Sequence, residues 1–265
     1  MGNFVNNLRL YFGVGRRVGY TLTAGMLDKN RRNNLLSLYN HFEAKDDQHS
    51  ITPVDPFILP KTDAFELFGN DKADYEGVYE CGFGHTTEFE LKVISNLVKK
   101  LNPRRIFEIG TFQGRTTLNM AINTSPDAEI ITLDLPSDGL SSTAMSIEEG
   151  EIRYVQKDVS GERFIGHPMA QKIKQVFGDS ATFSFDRYQN SVDLAFIDGS
   201  HAYEYVINDS NKILSVMRSG GLMIWHDYTN WEGVWTALNE LYTTDPRYKN
   251  IRHIGGTSIA IMEVL

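Results

Sequence analysis

From residue 86 to the C-terminus the apolar positions follow two alternating periods. Thr87 and Glu90 stand at capping-box spacing ahead of Phe89, Leu91, Ile94, Leu97 and Val98, which predicts a helix that Pro103 stops. Five short apolar runs then read as strands: 105–110, 129–134, 174–180, 192–199 and 222–227. Helical patterns follow the first strand (TTLNMAI), separate the fourth from the fifth (Tyr203–Met217), and follow the fifth (Trp231–Tyr242). Strands alternating with helices imply a mostly parallel sheet covered on both faces. Two last strands, around 250–254 and 257–263, leave almost no room for a helix between them. The second is therefore expected to return antiparallel, as a C-terminal hairpin at the sheet edge. The predicted fold class is α/β, Rossmann-like and doubly wound, with seven strands.

Residues 1–85 read as an N-terminal extension or cap over a core spanning 86–265. Leu35, Leu36, Leu38, Tyr39 and Phe42 recur at helical spacing within Arg31–Ala44. Pro53, Pro56 and Pro60 then punctuate a stretch expected to be irregular. The 135–170 connection is unusually long and reads as a lid or substrate loop.

In an open α/β sheet, ligands bind where the strands end. The first strand ends Glu108-Ile-Gly110-Thr-Phe112-Gln-Gly114-Arg-Thr116. Gly110 and Gly114 permit a tight turn and close backbone approach, and the following helix offers free N–H groups. The third glycine of a dinucleotide fingerprint is missing, which disfavours an NAD(P)-dependent oxidoreductase. Glu108 would repel a pyrophosphate but suits a ligand bearing an ammonium or sulfonium group. Asp134 ends the second strand, where an acid can accept both ribose hydroxyls. In that order, these features describe a site for an amino-acid-bearing nucleoside.

The fourth and fifth strands end in Asp198-Gly-Ser-His201 and His226-Asp227. Asp198, His226 and Asp227 are expected to converge on one divalent ion, which two carboxylates and an imidazole can hold. The alternative is that the acids cap loops and His226 is a core histidine.

These motifs resemble the class I S-adenosylmethionine-dependent methyltransferases, across residues 86–265. The resemblance implies that Glu108, Gly110, Phe112, Gly114 and Thr116 line the methionine side. It also implies that Asp134 holds the ribose and that Asp179 and Ser180 lie near adenine, although Asp179 could equally cap the next helix. The second half is similar to the metal-dependent O-methyltransferases of the catechol and macrolide-sugar kinds. These place one metal-ligating aspartate on the fourth strand and an acidic pair on the fifth, where this chain has His226-Asp227. Their catalytic lysine falls at His201, and some sugar O-methyltransferases carry histidine there. The implied function is O-methylation of a small-molecule or sugar hydroxyl, with S-adenosylmethionine, Mg²⁺ or Mn²⁺, and His201 as general base. The alternatives are a metal-independent methyltransferase with a histidine base, and an inactive methyltransferase-like binding module.

Composition narrows the partners. A net charge of −8 argues against a nucleic-acid backbone as partner. Cys81 is the only cysteine, which suits a reducing compartment and excludes a multi-cysteine zinc site within one chain. No run reaches the length of a membrane span, so a cytoplasmic location is expected. The N-terminal extension is compatible with a homodimer.

Overall fold

The computed structural model describes residues 56–68, 72–77 and 84–265. The helix expected within Arg31–Ala44 lies outside them. The described residues belong to one compact unit, Pro56–Leu265. Its elements are β1 (Lys61–Thr62), α1 (Ala64–Phe68), α2 (Glu88–Leu101), β2 (Arg105–Ile109), α3 (Arg115–Ile122), β3 (Glu129–Asp134), α4 (Ile152–Val155), β4 (Ile173–Phe177), β5 (Val192–Ile197), α5 (Tyr203–Leu214), β6 (Met217–Trp225), α6 (Glu232–Thr244), β7 (Arg252–Ile254) and β8 (Ala260–Glu263).

Eight strands form one sheet in the order β1-β7-β8-β6-β5-β2-β3-β4. The β2–β6 block is parallel throughout, while β8 runs antiparallel to both β6 and β7. Side chains along these strands alternate between two cores. Phe107, Ile109, Ile131, Leu133, Ile197 and Trp225 pack with α5 and α6 on one face. Ile106, Ile130, Phe196 and Ile224 pack with α2 and α3 on the other.

The sheet differs from the expected seven strands at one edge. Lys61 and Thr62 pair in parallel with His253 and Ile254, so β1, not the C-terminal hairpin, is outermost. A two-residue strand just after Pro60 carries no hydrophobic period, which is why the proline-punctuated stretch reads as irregular. Leu59 enters the core and its N–H donates to the Tyr228 hydroxyl. Packing thus joins residues from Pro56 onward to the core, upstream of the boundary expected near residue 85. β6 also begins earlier than expected, at Met217, with Gly220 in the left-handed region near its start.

The chain runs from β2 outward through β3 and β4, then crosses back to β5 on β2's other side. The ends of β2 and β5 are therefore the switch point, where an α/β sheet opens a crevice. Gly110 sits there with φ 95°, and a Cβ on it would lie 1.9 Å from the Asp198 carbonyl oxygen. Only glycine lets the two strand ends approach this closely.

Candidate active site

A cleft of about 690 Å³, open solvent included, lies over the ends of β2, β3, β4 and β5. Gly110, Phe112, Asp134, Asp179, Ser180, Asp198 and His201 all line it. Gly110, Phe112, Gly114 and Thr116 also line an adjoining recess with His85 and Asp198. Phe112 takes a left-handed φ of 47° and meets the Tyr154 and His85 rings edge-on.

Glu108 lines neither concavity. It is buried behind the wall, where its Oε2 accepts the Thr117 hydroxyl at 2.5 Å and the Thr132 hydroxyl at 2.6 Å. Burial outweighs these two bonds, and with the nearby charges of Asp198 and Asp134 it pushes the carboxyl up to about 8. Asp134 does face the cleft. Its Oδ2 lies 2.7 Å from Lys157 Nζ and also accepts the Ser160 hydroxyl. Asp179 accepts the Ala181 N–H in its own turn, the Ala144 N–H from the 135–170 connection, and the Tyr205 hydroxyl. No helix directly follows Asp179, so it caps a turn rather than the helix expected, and it also lines the cleft.

Next to this cleft a second, wider concavity of about 1000 Å³, solvent included, is bordered by Glu90, Tyr154, His226, Asp227, Asn230 and Trp231. The end of β5 supplies Asp198, and the residues just after β6 supply His226 and Asp227. His226 Nδ1 is buried without a hydrogen-bond partner. It lies 3.3 Å from both Asp198 Oδ1 and Asp227 Oδ2. Its other nitrogen, Nε2, is 3.4 Å from Glu90 Oε2. Glu90 Oε1 in turn accepts the Ser258 N–H and hydroxyl, each at 2.7 Å. Although burial opposes it, Asp198, Asp227 and Glu90 hold the His226 imidazole well above its usual range. Burial raises the Asp198 carboxyl, with His226 opposing. For Asp227 burial is outweighed by both histidines, which hold its carboxyl well below the carboxylate range.

His201 stands on the other side of Asp227. Its Nε2 is 2.9 Å from Asp227 Oδ2 and its Nδ1 is 2.5 Å from Glu151 Oε1. The Trp231 indole stacks on the imidazole at 4.4 Å and 11°. Burial would depress this histidine, but hydrogen bonds to Asp227 and Glu151 raise it to about 9. Among the described residues, Asp198, His201 and Asp227 are the group whose ligand atoms all lie within 4.8 Å of one another. His226 thus lies beside both Asp198 and Asp227, and His201 meets Asp227 from its other side.

Glu90, Glu151, Lys157 and Trp231 were not singled out from sequence. Glu90 had a local role that hid the second one. It is the acid of the Thr87 capping box, as expected, and reaches His226 with the same oxygen. Glu151 and Lys157 lie in the patternless 135–170 connection.

A mainly parallel sheet with its crevice over Gly110 and Asp198, bounded by Asp134 at the end of β3 and Asp198 just past β5, is a Rossmann-like doubly wound architecture. Residues 107–228 match the protein family described as a methyltransferase domain. The chain is 26% identical over 185 residues to an uncharacterized protein of Acanthamoeba polyphaga mimivirus, covering 68% of this chain and 77% of that one. It is 24% identical over 172 residues to the caffeoyl-CoA O-methyltransferase of Stellaria longipes, covering 63% of each. The match thus spans less than two thirds of that enzyme's length. Among solved structures, the SAH-bound methyltransferase of Podospora anserina shares the fold, with a TM-score of 0.50 and 16% identity over 69% of this chain and 80% of that one. The family match covers residues 107–228, under half of the chain, and the solved structure shares the Rossmann-like fold. Among the described residues no helix is long and apolar enough to cross a membrane.

Proposed function

We propose that this protein methylates a hydroxyl of a small-molecule or saccharide acceptor, with Asp198, His226 and Asp227 holding a divalent ion, Mg²⁺ or Mn²⁺, and His201 as general base. The observation that carries the metal is the buried, unpartnered Nδ1 of His226, set between two carboxylate oxygens with Glu90 behind the opposite nitrogen. A carboxylate–imidazole pair aimed at two acids is the arrangement that orients a ligating histidine, and the donor set suits such an ion.

Asp134 and the Gly110–Thr116 turn bind the cofactor's nucleoside and amino-acid ends, and Asp179 and Ser180 border the base. Such an ion supplies Lewis acidity that eases loss of the acceptor's hydroxyl proton. In its neutral form His201 takes that proton at Nε2 while the acceptor oxygen forms its bond to the methyl carbon. The sulfur keeps the electron pair of the broken S–C bond, so S-adenosylhomocysteine is the co-product. Trp231 and Tyr154 border the acceptor side and hold water away from the imidazole.

Calorimetric titration of S-adenosylhomocysteine, in chelator and then with Mg²⁺ or Mn²⁺, tests both halves. Micromolar binding that Asp134→Ala weakens supports the cofactor assignment. Loss of Mn²⁺ binding in Asp198→Ala, with cofactor affinity retained, supports the metal. Undiminished methyl transfer after exhaustive chelation would leave His201 as base and remove the ion.

A further inference from the structure

We infer that Glu151 is the positioning residue for His201, so that the 135–170 connection completes the reaction centre rather than only covering it. This deepens the proposed function and rests on His201 being its base.

The Glu151 carboxylate is 4% exposed and fully engaged around one histidine. Its Oε1 accepts the His201 backbone N–H and stands 2.5 Å from the ring Nδ1. Its Oε2 accepts the Ser200 hydroxyl at 2.9 Å and the Glu148 N–H at 3.1 Å. The last of these belongs to a reciprocal cap, in which Glu148 accepts the Glu151 N–H in return, and it fixes the short 3₁₀ turn Glu149–Glu151. A side chain so buried and so short of rotamers delivers its oxygen to one place.

The ring is held from a second direction. Trp231 stacks on the His201 imidazole and sets its plane. The turn carrying Glu151 packs on that same indole: a Cβ on Gly150 would stand 2.9 Å from Trp231 Cη2. Acid, indole and imidazole thus form one packed unit. With Nδ1–H donated to Glu151, the remaining apex, Nε2, is turned toward Asp227 beside the cleft. The Glu151 carboxylate thus holds Nδ1 and sets the orientation of the ring, with Nε2 directed at Asp227. A purely structural acid would not have to meet a histidine on this nitrogen.

The experiment compares the parent with Glu151→Ala, Glu151→Gln and Glu151→Asp. Methyl transfer is measured with caffeate, catechol and methyl hexosides in Mg²⁺, and crystal structures are determined with S-adenosylhomocysteine. Glu151→Ala should lower kcat by about 10- to 100-fold with acceptor KM and S-adenosylhomocysteine affinity nearly unchanged. Glu151→Gln keeps a carbonyl oxygen for Nδ1–H and should stay within roughly threefold of the parent. The His201 ring should leave the Trp231 stack in the alanine variant and remain there in the glutamine variant. Should the alanine variant not fold, Glu151→Asp, whose oxygen falls a methylene short, carries the test with a smaller loss of kcat. Parental kcat and an unmoved ring in Glu151→Ala or Glu151→Asp would overturn the inference, as would a loss confined to cofactor affinity. If the ring moves as expected but the parent methylates none of the acceptors, the positioning stands and the reading of His201 as their base fails.

Discussion

The two halves of the crevice are built differently. On the proposed cofactor side, Gly110, Asp134 and the Gly178–Ser180 turn come from the ends of adjacent parallel strands, and register alone sets them side by side. On the reaction side each histidine is held by an acid from far along the chain: Glu90, 136 residues from His226, and Glu151, 50 residues from His201. The first half is a property of sheet topology. The second is assembled from a helix cap and an irregular connection.

That contrast can be broken by substitution. The largest effect is expected from Asp198→Ala, which removes one arm of the metal pair: turnover should fall about 10³-fold or more while S-adenosylhomocysteine affinity changes little. An equal loss in both would mean that the halves are not separable. Gly110→Ala should instead damage the scaffold that both share. With a left-handed φ and a carbonyl 1.9 Å from the new methyl group, it should cost about 4 kcal/mol or more in a denaturant titration. Asp134→Ala should weaken S-adenosylhomocysteine binding by roughly 10- to 30-fold, about 2 kcal/mol for a lost charge-assisted acceptor, without altering Mn²⁺ affinity.

A last effect, confined to one pH range, concerns Glu108 and has a definite sign. Its folded carboxyl is raised from 4.5 to about 8, so the folded state favours the protonated form. Stability from this group is full below about pH 4.5 and is lost as pH rises through 8. Glu108→Gln should therefore match the parent near pH 4 and exceed it at pH 8.5 by about 2–4 kcal/mol in ligand-free protein. A parent melting temperature that does not fall over this range relative to the variant would show Glu108 ionised in the fold.

Legibility in the sequence follows the same division. Strands β2, β3 and β5 and helix α2 announce themselves through period and capping, because each buries a face repeated along its own residues. The Gly110 turn and the acids at 134, 198 and 227 are legible because a strand end points its residues at the crevice. β1 is not, since two residues have no period and pair only because the β7 edge is open. Glu151 is illegible for a related reason. Its local role is a cap on a short turn with Glu148, and its histidine partner arrives through the fold. Glu90 was visible, but as a helix cap, and a residue with a sufficient local explanation conceals a distant one.

Asp227 holds a left-handed backbone, φ 62°, at the point where both histidines meet. Side chains branched at Cβ are excluded from that conformation, and glycine, asparagine and aspartate are the residues that enter it with least strain. Anyone retuning this centre, whether by selection or by design, has a vocabulary of about three letters at the position. Asparagine is the one that discharges the carboxylate while keeping an oxygen between the imidazoles, so neutral descendants of this protein should carry it there.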